Sequence, residues 1–103
     1  MPQQYDGSPE ESAKTDAVFA AFAHRVRRQI LLALRSRDGR MTAGEIAQRF
    51  SHSWPTTTRH LRVLAAAGLV RVEQKGRERA YYLETKILMQ ITRKWLRWFE
   101  EGV

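Results

Sequence analysis

The sequence contains no cysteine. Disulfides, thiolate metal sites and cysteine nucleophiles are therefore excluded, and the composition fits the cytoplasm. No apolar run approaches the ~20 residues that span a bilayer. The first residues lack a basic stretch followed by an apolar one, so no signal peptide is expected and the chain reads as cytoplasmic and soluble. Acidic residues are few: 11 Asp and Glu stand against 18 Lys and Arg, a formal charge of +7. Most of the excess is arginine, whose planar fork suits phosphate or guanine. Nucleic acid is the favoured partner, an anionic membrane surface a weaker one, and a merely basic soluble surface the bland alternative. There is no repeat, no glycine-rich phosphate loop and no nucleophile–base signature, so neither a catalytic residue nor a cofactor is expected. At 103 residues and 43% apolar content the chain makes one domain with a modest core, a size for which oligomerisation is a common remedy.

What is present is organised around residues 51–70. Ser51–Ser53 is a polar turn, Pro55 sits where a helix can begin, Leu61 and Leu64 follow at helical spacing, and Gly68 is a left-handed stop. The spacing predicts a helix over about 54–67, with Thr57, Leu61 and Leu64 on its inner side and Thr56, Thr58, Arg59 and His60 outside. A short helix with a polar, cationic N-terminal end can lie in a DNA major groove.

Residues 1–11, with two prolines and few large apolar groups, read as a flexible tail, and 12–103 as the folded domain. Ser12 is a plausible cap for a first helix over about 12–22. A second is expected over about 24–37, with Arg25, Arg27, Arg28 and Arg35 on its outer face. Thr42 and Glu45 form a capping-box pattern for a third helix over about 42–50. The third and fourth helices, joined by a short polar segment, make a helix-turn-helix. Beyond Gly68 the period becomes two, which predicts a β-hairpin over 69–83 with Lys75-Gly76-Arg77 at its turn. Val70 and Val72 face one way along it, Arg71 and Glu73 the other. The fold class is thus mainly α with a small β-hairpin, a winged helix-turn-helix. A final helix over about 84–100 carries an apolar stripe that includes Ile91, Trp95, Trp98 and Phe99. Such a stripe marks an interface unless the helix folds back on its own core. With Phe19 and Phe22 of the first helix it is the candidate homodimer surface.

The chain resembles the ArsR/SmtB-type winged-helix repressors. Ala23–Leu34 is similar to the family's second helix, Glu45–Phe50 to its third, and Ser53-Trp-Pro-Thr-Thr-Thr-Arg-His-Leu-Arg-Val-Leu-Ala-Ala-Ala-Gly-Leu-Val70 to its "SQPAVSRHLRVLREAGLV". The resemblance implies a homodimeric DNA-binding repressor acting on an inverted-repeat operator. It supplies no effector. Thr42 and Gly44 occupy the places of the metal-sensing cysteines, and the last helix has no histidine. No metal is therefore expected. Trp54 stands where glutamine is frequent. It packs on a thymine methyl or a sugar, or else locks the start of the helix.

The candidate DNA-contacting residues are Ser53, Trp54, Thr56, Thr58, Arg59, His60 and Arg62 on the helix, with Lys75, Arg77 and Arg79 on the wing. Arg59 reads a guanine or clamps phosphate, and phosphate is favoured because most protein–DNA contacts go to the backbone. Arg62, towards the flank, is a phosphate ligand or a solvated arginine. Ser53 and Thr42 bind phosphate at helix starts or serve only as caps. His60 touches DNA or is a surface histidine. Two other classes stay open: a small-molecule or metal-gated sensor of the same fold, and a protein-interaction module using the aromatic last helix.

Overall fold

Helix formation starts at Ser8 rather than Ser12. The computed structural model describes residues 8–101, without the Glu101 side chain. Ser8 has extended backbone, and its hydroxyl accepts a 3.1 Å hydrogen bond from the Glu11 N–H. Pro9 follows in the first turn, where its missing N–H costs nothing. Glu10 and Glu11 place negative charge at the positive end of the helix. The first helix, α1 (Pro9–Phe22), therefore absorbs the end of the expected tail. The rest of that tail, residues 1–7, lies outside the described residues.

The second helix, α2 (Arg25–Ser36), is capped by His24, whose Nδ1 accepts from the Val26 N–H at 3.2 Å. Its chain exit uses two left-handed residues, Asp38 at φ 59° and Gly39 at φ 86°, and Gly39 N–H bonds Leu34 O at 2.7 Å. The segment between the second and third helices, where the sequence predicts no strand, then contributes β1 (Arg40–Thr42). Thr42 and Glu45 close a complete capping box on α3 (Ala43–Arg49). Ser53 caps α4 (Trp54–Ala66), which ends at Gly68 with φ +79° and a Leu69 N–H to Leu64 O bond of 3.0 Å. That is the left-handed stop expected from the sequence.

The hairpin is β2 (Val70–Lys75) with β3 (Glu78–Leu83), and α5 (Thr85–Glu101) follows. β3 is central in an antiparallel sheet of order β1-β3-β2, with Met41 and Val72 both opposite Tyr81. Only the base of the hairpin meets the core. Val70 is buried, but Val72, expected on the same inner face, is 41% exposed. The core is one cluster. Val18 and Ala21 of α1, Ile30 and Leu34 of α2, Met41, Ile46, Leu61, Leu64 and Leu69 are all nearly inaccessible. Leu61 and Leu64, at a three-residue step, seat α4 on this core and fix which of its faces points outward.

Candidate nucleic-acid interface

At about 100° per residue, Pro55, Arg59, Arg62 and Ala66 lie opposite the inward Thr57, Leu61 and Leu64 of α4. The accessibilities agree: Trp54, Pro55, Arg59, Arg62 and Ala66 are exposed, and Thr57, Leu61 and Leu64 are buried. Arg59 and Arg62 form no ion pair among the described residues. Arg62 thus stands near the middle of the outward face rather than at its flank. Trp54 opens the helix with 39% of its surface exposed.

Three of the expected outward residues are placed differently. His60 is buried at 8% exposure. Its Nδ1 lies 3.4 Å from Arg27 Nη1, and its ring centroid is 4.3 Å from that of His24. Burial, followed by His24, Arg27, His52 and Arg59, holds its pKa below the ordinary histidine value. His60 therefore does not belong to the outward set. The reason was present in the spacing, since Thr57, His60 and Leu64 repeat at three and four residues. Thr58 is half-buried, and its hydroxyl oxygen is enclosed without a hydrogen-bond partner. Thr56 is half-buried as well, with its hydroxyl accepting from Ser53 Oγ at 2.9 Å. The Ser53 oxygen also accepts the Thr56 N–H at 3.4 Å, so this serine acts as the helix cap.

The second helix does not present all its arginines to solvent. Arg27 donates from Nη2 to Ala20 O at 2.8 Å and from Nε to Ala21 O at 3.0 Å, while Arg28 donates to Phe22 O. Carbonyls at the end of a helix have no intrahelical partner and carry partial negative charge, so these two guanidinium groups complete α1. This role was not legible from the arginine run, because it depends on the angle between α1 and α2.

The wing carries both signs. Arg40 pairs with Glu78 at 3.2 Å, and Arg71 pairs with Glu73 and, at 3.1 Å, with Glu84. The Arg71 guanidinium also lies 4.4 Å from the Tyr82 ring centroid. Lys75 and Arg77, next to the turn, make no ion pair among the described residues, and Arg79 donates to Gln74 Oε1 at 3.4 Å. Arg71 is thus paired at the base of the hairpin, while at the tip Arg40 takes up Glu78 and Lys75, Arg77 and Arg79 make no ion pair among the described residues.

On the far side, α1 and α5 share an aromatic row. Phe19 lies 6.3 Å from Phe22 and 5.1 Å from Trp95, and Trp95 lies 4.8 Å from Phe99. Ile91 and Trp98 are half-buried, but Trp95, Leu96 and Phe99 are exposed at 39, 49 and 58%. Lys94 ties α5 to α1 through Glu11 at 2.8 Å.

A cationic helix face standing beside a cationic β-hairpin tip defines a winged helix-turn-helix DNA-binding protein. A family profile described as a helix-turn-helix domain matches residues 22–73. The transcriptional repressor SdpR of Bacillus subtilis (strain 168) is 35% identical over 85 residues, covering 82% of this chain and 92% of its own. Among solved structures, an ArsR family transcriptional regulator superposes with TM-score 0.79 at 29% identity over 94% of each chain. An ArsR-like transcriptional regulator from Rhodococcus sp. RHA1 gives 0.76 at 32% identity, over 88% of this chain and 84% of its own. The chain belongs to the ArsR family of winged helix-turn-helix transcriptional regulators. It is a double-stranded DNA-binding regulator and not an enzyme. No described helix is long and apolar enough to cross a membrane.

Proposed function

We propose that the protein is a cytoplasmic homodimeric repressor that binds an inverted-repeat operator through α4 and the β2–β3 wing. The observation that carries the reading is the outward face of α4, where Arg59 and Arg62 are exposed and, among the described residues, without carboxylate partners. Trp54, Arg59 and Arg62 contact the major groove, and Lys75, Arg77 and Arg79 reach neighbouring phosphates or the minor groove. Thr56 and Ser53 contribute at the start of the helix, where N–H groups favour phosphate. Phe19, Phe22, Ile91, Trp95, Trp98 and Phe99 form the dimer contact, whose two-fold axis sets the recognition helices about 34–36 Å apart in successive major grooves. Repression follows from occupying DNA that polymerase needs, and the repressor SdpR supports that direction of control.

The test has three steps. Selection from a random duplex pool yields a binding sequence, footprinting shows whether it is protected as two symmetric half-sites, and a promoter–reporter fusion gives the sign of regulation. Selection without enrichment by a folded protein at low salt would remove the regulator assignment. A single unrepeated half-site would remove the dimeric one.

A further inference from the structure

We propose that His60 is a positioning residue that fixes the recognition helix to the end of α1 through Arg27, and that its protonation releases this helix and weakens DNA binding. The inference rests on the DNA-binding reading above. Its first support is geometric. One guanidinium spans two elements: Arg27 Nη2 and Nε hold Ala20 O and Ala21 O at 2.8 and 3.0 Å, and Nη1 lies 3.4 Å from His60 Nδ1. Arginine is only a donor, so His60 Nδ1 is the acceptor and the ring proton is assigned to Nε2. The α1 carbonyls orient the guanidinium and the guanidinium orients His60. A helix that carries part of the proposed dimer surface is thereby linked to the proposed recognition helix.

The second support is the character of the surroundings. His24, the cap of α2, and Arg27 on α2 lie against His60, and the charges of His52, in the turn between α3 and α4, and of Arg59, on its own helix, also act on it. From α1 come the two carbonyls already held by Arg27. All four side chains that act on His60 are basic, and no carboxylate is among them. His24 is itself immobilised as the α2 cap, with its ring 4.3 Å from that of His60. Protonation of Nδ1 removes the acceptor and sets one N–H against the N–H of a permanent cation. A half-buried polar pair that becomes a like-charge pair is costly, and the fold relieves it by moving α4 away from Arg27. Arg59 and Arg62 ride on that helix, so their register with the groove changes too.

The sign separates this device from ordinary electrostatics. The folded pKa of His60 lies below its ordinary 6.5, chiefly through burial. The neutral link is therefore intact at neutral pH and above, and is lost as pH falls through that lowered value. Positive charge added elsewhere on the DNA-facing surface works the other way, since it strengthens binding to phosphate.

The test uses the full chain and a duplex selected from a random-sequence pool at about pH 7.5. Affinity is measured by fluorescence anisotropy at fixed salt down to about pH 5.5, with far-UV circular dichroism on the same samples. Wild type is expected to weaken by a few-fold towards the acid end while remaining folded. His60→Gln, whose amide oxygen still accepts from Arg27, is expected to bind within a few-fold of wild type at neutral pH and to lose the acid weakening. An NMR titration of the wild-type His60 imidazole stands beside the variant in case it does not fold: His60 is expected to protonate below the ordinary histidine value and to rest as the Nε2–H tautomer. The proposal is overturned by a flat or rising wild-type affinity in acid. It is overturned equally by the same acid loss in His60→Gln, or by a His60 ring that titrates at or above the ordinary histidine value. A pool that yields no binding duplex would defeat the DNA-binding reading itself.

Discussion

The Phe19 ring meets the Trp95 indole edge to face, with centroids 5.1 Å apart and planes 81° to each other. One contact thereby closes α1 onto α5 within the monomer, and Trp95 hands the aromatic row on to Phe99. Edge-to-face pairs of this kind add about 0.5–1.5 kcal/mol beyond the area they bury. The row is covered at the Phe19 end and open at the Phe99 end, where Leu96 is exposed beside it.

Phe99→Glu is therefore expected to dissociate the dimer and spare the monomer. The side chain is 58% exposed, so its loss changes monomer stability by no more than about 0.5 kcal/mol. Sedimentation should show one protomer with native circular dichroism. Affinity for a two-half-site duplex should fall about 100-fold or more as bivalency is lost. A Phe99→Glu protein that still sediments as a dimer would place the interface elsewhere.

On α4, Arg59→Ala and Arg62→Ala are each expected to weaken binding by about 1–3 kcal/mol at fixed salt. Salt titrations distinguish their roles. An arginine on phosphate lowers the slope of log K against log salt by about 1, whereas one reading a base alters sequence preference. Thr58→Ala is expected to bind like wild type, because the Thr58 hydroxyl is already enclosed. If Thr58→Ala binds tenfold weaker, the orientation of α4 described above is wrong.

Most of the fold was legible in the sequence because its signals are local. Pro55 and Gly68 bracket α4, Thr42 and Glu45 start α3, and alternation begins where helical spacing stops. The misses have physical causes. β1 is three residues long, too short to show alternation, and exists only through pairing with β3. The true start of α1 was hidden by a proline that looked like tail composition and is in fact a first-turn residue. The outward site was half legible: Arg59 and Arg62 follow from helical phase, while the engagement of Arg27 and Arg28 follows only from how two helices cross.

The start of α1 can be checked directly. Ser8→Ala removes the oxygen that accepts the Glu11 N–H and is expected to cost about 1 kcal/mol. For a domain of this size that lowers Tm by roughly 4–8 °C. An unchanged melting curve would argue that residues 8–11 do not belong to the helix.

Glu45 gives a pH dependence of the same sense as that of His60, read in stability rather than in DNA affinity. The Thr42 backbone N–H, then its side chain, holds the Glu45 carboxyl below its ordinary 4.5, with smaller help from Arg37 and Arg40. A carboxylate with a depressed folded pKa contributes stability that is present above the ordinary value and lost as pH falls through the lowered one. Urea unfolding across about pH 5 to 3 should therefore show a smaller acid loss in Glu45→Gln than in wild type. Equal slopes would mean that the capping box contributes nothing ionic.

Trp54 offers the most specific test of base recognition. It is the first residue of α4, and 39% of its surface is open on the side where DNA is expected. An indole has a single donor and a broad apolar face, so the base feature it suits is the thymine C5-methyl in the major groove. Replacing thymine by uracil removes that methyl and leaves every hydrogen-bonding group unchanged. Burial of one methyl-sized group contributes about 0.8 kcal/mol. Uracil at the contacted position should therefore weaken wild type about fourfold per half-site. Trp54→Ala should bind thymine and uracil duplexes equally. Trp54→Gln should shift preference towards adenine, which glutamine holds through two hydrogen bonds. If uracil weakens Trp54→Ala as much as wild type, the methyl is read by another residue, and the indole only holds the start of the helix.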